Sequence, residues 1–169
     1  RVVSAKAERI EGDQDESTAF ALLGDVLHRM VPHLADDAFV LVWCDWRQQC
    51  AALALLNGLG LTVREEVIWN KPNHSSGDLF GAPARKHEKF LFAVKGKPTL
   101  KGDRFDTVLA GSKFVGSDHP TEKPVDLIAA VIQSCTEPGD LVADPFMGSG
   151  GVPLTAYQEG RDFWGCEKD

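Results

Sequence analysis

At 169 residues the chain falls within the length of one domain and is long enough to build a real hydrophobic core. Its 43% hydrophobic content is ordinary for a globular chain, no apolar run approaches the length of a spanning helix, and no segment resembles a signal peptide. A net charge of −7 argues against a uniformly basic nucleic-acid binder, so any such contact must come from a local segment.

In chain order, residues 1–17 are polar and acidic and read as a loop, with Ser17 placed to cap a helix. Thr18–Leu34 carries Phe20, Leu23, Val26, Leu27, Met30 and Val31 at helical spacing and closes near Pro32. Phe39–Trp43 is a continuous apolar run, the pattern of a strand buried on both faces. Arg47–Leu59 predicts a helix ended by Gly58 and Gly60, and Glu65–Trp69 a strand. Asn70–Arg85 is rich in Gly, Pro, Asn and Ser and reads as a loop; Lys89–Val94 is a further strand, antiparallel to its neighbour. Lys95–Asp118 is punctuated by Gly96, Pro98, Gly102, Gly111 and Gly116 and reads as irregular. Pro124–Thr136 is a helix broken by Pro138-Gly139, and Leu141–Ala143 a short strand. It runs into the glycine-rich turn Asp144-Pro145-Phe146-Met147-Gly148-Ser149-Gly150. A last strand, Phe163–Cys166, ends in Glu167. The alternation predicts a mostly parallel sheet flanked by helices.

The turn lies at the carboxyl end of its strand, the edge where open α/β sheets bind ligands, and Glu167 sits at the offset of an acid that takes a ribose hydroxyl pair. A phosphate-cradling loop would need Gly-Lys-Ser/Thr, whereas Gly150 is followed by Gly151-Val152-Pro153. The dinucleotide fingerprint would need a small residue where Pro153 stands. A glycine loop with a ribose acid and no phosphate anchor suits S-adenosyl-L-methionine. The helix start at Ser149–Gly151 offers N–H groups to a carboxylate, and Phe146 an aromatic face to a sulfonium.

Charge is unevenly spread. Residues 1–70 carry 6 basic and 11 acidic side chains, and residues 124–169 carry 2 and 8. Residues 71–123 carry 10 basic and 6 acidic, so phosphate contacts are expected there, at Lys71, Arg85, Lys86, Lys89 and Lys113; each taken singly is also an ordinary surface residue. Cys44, Cys50, Cys135 and Cys166 are scattered without a C-x-x-C, which suits a reducing, cytoplasmic setting and neither a zinc site nor a disulfide framework.

The pairing of His119-Pro120-Thr121-Glu122-Lys123-Pro124 with Asp144–Gly150 in this order resembles the DNA amino-methyltransferase family (N6-adenine/N4-cytosine) in its late cofactor-loop arrangement. Val67-Ile68-Trp69-Asn70-Lys71-Pro72 and His87-Glu88 leading into Phe90–Val94 fit as well, so the likeness covers roughly residues 37–169. It implies an α/β fold in three layers with a Rossmann-like methyltransferase sheet, mostly parallel with one antiparallel strand. About five strands are expected from this chain and two more upstream of Arg1. It also implies a single domain over 1–169, with 71–118 as a DNA-contacting insertion. The cofactor ligands it implies are Thr121, Lys123, Asp144, Phe146, Gly148, Gly150 and Glu167, with Thr121 and Lys123 toward the cofactor carboxylate. His119 holds its turn or joins them, and His87-Glu88 reads as a structural hydrogen bond rather than an acid–base pair. Trp43 and Trp46 are expected in the core.

The family's catalytic tetrapeptide, Asp/Asn/Ser-Pro-Pro-aromatic, does not occur in the sequence; the resemblance places it just upstream of Arg1, which leaves the catalytic residues unknown. The expected activity is methyl transfer to an exocyclic amine of double-stranded DNA, adenine N6 favoured over cytosine N4, with a homodimer left open. Two other readings stand beside it. One is a degenerate module that binds DNA or cofactor without turnover, and the other an amine methyltransferase acting on RNA or protein.

Overall fold

A computed structural model of the protein describes residues 2–6, 16–74, 80–110 and 123–167. The elements are β1 (Val2–Lys6), α1 (Glu16–Met30), a 3-10 turn (Val31–His33), β2 (Phe39–Trp43), α2 (Gln49–Gly58), β3 (Thr62–Asn70), β4 (His87–Val94), β5 (Val108–Ala110), α3 (Val125–Cys135), β6 (Leu141–Asp144), α4 (Gly151–Gln158) and β7 (Asp162–Gly165).

The strands form one seven-stranded sheet in the order β5-β3-β4-β2-β1-β6-β7. β4 runs antiparallel to both β2 and β3, and every other pairing is parallel, as the family resemblance implied. Several expectations fail. Residues 2–6 are not loop: β1 pairs in parallel with β2 on one side and β6 on the other, near the middle of the sheet. Its Val-Val-Ser-Ala-Lys is too short and without the period-2 alternation that would signal a strand alone, and it gains ladder partners only once β2 and β6 flank it. The short strand β5 likewise appears within the stretch read as irregular, recruited by the end of β3. The sheet therefore holds seven strands rather than five. Helix α1 begins at Glu16, ahead of Ser17, so Ser17 is inside the helix rather than its cap. The 71–118 stretch contains β4 and β5 and is thus built into the sheet.

Alternation along β2 divides the core. Val40 and Val42 face a cluster with Leu23 and Leu27 of α1 and Ala52 and Leu56 of α2. Phe39 and Leu41 face the other way, toward Val131 and Cys135 of α3. On that second face Ile128 and Ile132 of α3 also meet Val142 of β6 and Ala156 of α4. The result is three layers, with α1 and α2 on one side and α3 and α4 on the other. Helix α2 ends where Gly60 takes φ 77°, with Leu61 N–H donating to the Leu56 carbonyl and Gly60 N–H to that of Asn57. The end of α3 is held by Arg161, which donates from Nε to Thr136 Oγ1 at 2.9 Å and from Nη2 to the Thr136 carbonyl at 2.8 Å. Among the described residues no helix is long and apolar enough to cross a membrane.

Candidate cofactor crevice and rim

Strand order reverses at β6. From it the chain continues outward to β7 on one side, while β1 and β2 lie on the other. The carboxyl end of β6 is therefore a topological switch point, where open α/β sheets bind ligands. The loop Asp144–Gly150 starts there. Asp144, 5% exposed, accepts the Phe146 N–H on Oδ1 at 3.1 Å and so folds the loop back on the strand that carries it. Met147 N–H donates to the Cys166 carbonyl, and Cys166 N–H to the Asp144 carbonyl, both at 3.2 Å. The loop is thus stitched to the end of β7 on its far side.

Gly148 and Gly150 have φ of 52° and 84°, a region that costs any residue with a side chain. A Cβ at either would have no heavy atom within 4 Å, so the loop backbone faces open space there. Gly165 is different: a Cβ would come within 2.9 Å of Met147 Sδ and 3.2 Å of the Asp144 carbonyl oxygen, so loop and strand pack closely at this glycine. Glu167 lies beside the loop, its Oε2 accepting the Gly148 N–H at 2.6 Å. The ribose acid inferred from sequence and the glycine loop are therefore brought into direct contact. Phe146 is half-buried against the α1/α2 side of the core.

A second assembly lies along the same edge, where β2 and β3 end and antiparallel β4 begins. Glu88 accepts from Lys71 Nζ at 3.1 Å and from Lys123 Nζ at 2.5 Å. The Lys123 ammonium, on a side chain 9% exposed, sits 4.7 Å from the Trp43 ring centroid and 5.6 Å from that of Trp69. Aromatic faces and a carboxylate thus replace water around a buried cation. Burial raises the Glu88 pKa, but the charge of Lys123 and the hydrogen bonds from Lys123 and Lys71 outweigh it and hold the carboxyl below its usual range. Glu88 takes the structural role expected of it, as the anchor of two lysines.

Farther out, Asp45 clasps two arginines. Its Oδ1 accepts the Arg47 N–H at 3.0 Å and lies 3.7 Å from Arg47 Nη1, and its Oδ2 accepts from Arg85 Nη1. Burial pushes the Asp45 pKa up, and the bonds from Arg47 and Arg85 more than reverse that. Trp46 does not enter the core. It is 63% exposed, with the Arg47 guanidinium 5.1 Å from its ring centroid. Trp43 does pack, 4.9 Å from Phe90. The sequence could not separate these tryptophans: Trp43 is the last strand residue and keeps the inward alternation, and Trp46 is already in the turn.

The basic residues of 71–123 fall into two groups. Lys89 is 9% exposed and donates to Gln49 Oε1 at 2.6 Å and Glu66 Oε2 at 2.9 Å, while Gln49 Nε2 donates to the same Glu66 oxygen at 2.6 Å. Lys71 is bound to Glu88. Lys86 and Arg85 are exposed at the end of the 71–86 connection. Thr121, Lys113 and His119 lie outside the described residues. Nothing local in the sequence announced the Lys123 cage, because its members stand at 43, 69, 88 and 123.

The DNA methylase family model matches residues 105–169. The chain is 33% identical over 135 residues to the putative methylase YubD of Escherichia coli (strain K12), a match covering 79% of this chain and 58% of that protein. It is 35% identical over 122 residues to the type II methyltransferase M.XycI of Xanthomonas campestris pv. cyanopsidis, covering 64% and 41%. The chain thus spans about half the length of the curated relatives it matches. Among solved structures, that of an M1.HpyAVI–SAM complex superposes with a TM-score of 0.76 at 24% identity, over 99% of this chain and 82% of the other. The cytosine-N4-specific PvuII DNA methyltransferase superposes at 0.79 with 16% identity, over 99% and 74%. At these identities the superpositions speak to the fold. Together with the glycine loop on the switch-point edge, the family-model match over residues 105–169 and the curated relatives show that this chain is similar to the N6/N4 DNA methylase family.

Proposed function

We propose that this chain forms the cofactor-holding core of a DNA methyltransferase that moves a methyl group from S-adenosyl-L-methionine to an exocyclic base amine. The observation that carries the reading is the contact between Glu167 and the Gly148 N–H at the carboxyl edge of β6. It joins a ribose-type acid to an open glycine backbone, with no phosphate-binding lysine in the loop. The cofactor supplies an electrophilic methyl on a cationic sulfur. The chain's own residues then divide the binding. A carboxylate accepts several hydrogen bonds, so Glu167 can hold Gly148 and a ribose hydroxyl together. Asp144 sets the loop path, Phe146 offers an aromatic face to the sulfonium, and Gly148 and Gly150 let the backbone approach closely. Thr121 and Lys123 are assigned to the cofactor carboxylate, with Glu88 and the two tryptophans fixing where the Lys123 ammonium lies.

Adenine N6 is the acceptor we favour from the sequence motifs. Cytosine N4 is the second reading. A base inside a duplex is out of reach, so the target must leave the stack. For the surrounding DNA we assign phosphate contacts to Arg85, Lys86 and Lys113. Lys71 and Lys89, bound to Glu88 and Glu66, are assigned to the scaffold.

The test uses the full-length protein. S-adenosylmethionine should raise its melting temperature while NAD and ATP do not, and labelled methyl should pass to duplex DNA in a form digested to N6-methyladenine or N4-methylcytosine. Binding of ATP without S-adenosylmethionine would overturn the proposal, and the identity of the labelled base decides between the acceptors.

A further inference from the structure

Three tryptophans stand at the carboxyl edge of the sheet on β2, β3 and the turn after β2, and two of them are accounted for. Trp69 is 1% exposed and Trp43 packs on Phe90, and together they flank Lys123. Trp46 packs into nothing comparable. The turn that carries it is nonetheless well fixed: Gln48 N–H donates to the Asp45 carbonyl at 3.1 Å and Arg47 N–H to Asp45 Oδ1 at 3.0 Å. An exposed indole is therefore held by a braced turn, one strand removed from β1 and two from the switch-point strand β6. Around it the charge is positive, since Asp45 is a single carboxylate between the guanidiniums of Arg47 and Arg85. Arg47, whose side chain is 58% exposed, lies over the ring with its guanidinium carbon 5.1 Å from the centroid.

We propose that Trp46 is a stacking platform for an unstacked base of the DNA substrate, and that Arg47 seats the phosphate next to that base. The inference rests on the DNA-methyltransferase reading and adds a contact to it. The ligand chemistry follows from what is assembled. An indole 63% exposed with one guanidinium over its ring matches a nucleobase joined to a phosphate, the base taking the exposed ring surface, and base stacking on an aromatic side chain tolerates any base because each has a π-face. Asp45 acts as the positioning residue that binds both Arg47 and Arg85 and orients the turn.

The test compares full-length wild type with Trp46→Ala, Trp46→Phe and Arg47→Gln, using a DNA duplex that the wild type methylates. Trp46→Ala should weaken DNA binding about 5- to 150-fold, the range of one lost base–aromatic stack. Trp46→Phe should restore most of it, and S-adenosylmethionine affinity should stay unchanged in both. Arg47→Gln should lower the slope of log affinity against log salt by roughly one unit. Wild-type DNA affinity retained in Trp46→Ala would overturn the inference while leaving the functional reading intact. A wild type that neither binds nor methylates DNA would overturn the functional reading itself. Circular dichroism melting of each variant separates lost contact from lost fold, and a loss in Trp46→Ala that Trp46→Phe does not recover also counts against stacking.

Discussion

The Nζ of Lys123 lies 2.5 Å from Oε2 of Glu88, which ties the residue before the α3 N-cap to a strand 35 positions earlier in the chain. Because Lys71 shares the same carboxylate, Glu88 neutralises two largely buried lysines at once. Removing its charge leaves both without their anion in a site that screens poorly. Glu88→Gln should lower the unfolding free energy of the full-length protein by about 1–3 kcal/mol, less than for a fully buried pair because the Glu88 side chain is 32% exposed. Urea unfolding measures it, and an unchanged midpoint would mean that the lysines find water instead.

The same carboxylate sets an acid limb. Its folded pKa is depressed, so the stability it contributes is present above the unfolded value of 4.5 and is lost as pH falls through the lower folded value. Asp45 acts in the same direction. Melting temperature should therefore drop as pH falls from 5 toward 3, and the drop should be shallower in Glu88→Gln, which has no group there to protonate. Parallel curves for the two proteins would remove Glu88 from the account.

At the glycine loop the expected cost is conformational. Gly148→Ala meets no steric obstacle from neighbours but must hold φ near 52°, at about 1–2 kcal/mol. It should weaken S-adenosylmethionine binding by shifting the loop. Gly58→Ala, at the end of α2 with ordinary helical φ and open space, should be neutral or stabilising by about 0.5–1 kcal/mol. Glu167→Ala should weaken S-adenosylmethionine binding by about 1–3 kcal/mol with little change in the protein's own melting, since Glu167 is exposed. Calorimetry on the three variants checks all of these, and equal affinities across them would detach the loop from the cofactor.

Lys86 and Lys89 are three residues apart and should behave oppositely. Lys86→Gln should reduce the salt slope of DNA binding by roughly one unit with no effect on folding. Lys89→Gln should leave the slope alone and lower stability by about 1–3 kcal/mol, because Glu66 and Gln49 lose their buried partner. A changed slope in Lys89→Gln would show that the lysine leaves its pocket to meet DNA.

The four thiols should separate in two pairs. Burial pushes the Cys44 thiol up to about 11 and the Cys135 thiol up to about 12, whereas Cys50 and Cys166 are exposed. A disulfide exchange reagent at neutral pH should label Cys50 and Cys166 quickly and the other pair only on unfolding, as peptide mapping of the labelled protein will read.

Much of the fold was legible because its signals are local. The unbroken apolar run of β2, the helical spacing of α3, and a strand running into Asp144–Gly150 each lie within a window of a few residues. The periodicities of strand and helix act over that range. Glu167 was legible too, since its distance along the chain from the loop is fixed by one helix and one strand. What tertiary structure alone decided depends on groups far apart in sequence. β1 is a strand because β2 and β6 offer it ladders on both sides. Lys89 is a scaffold residue because α2 and β3 bring Gln49 and Glu66 to it. Lys123 is caged because β2 and β3 end and β4 begins beside it. Charge and composition count lysines without saying which ones meet a carboxylate. That pairing is set by sheet order and register, which no single segment encodes.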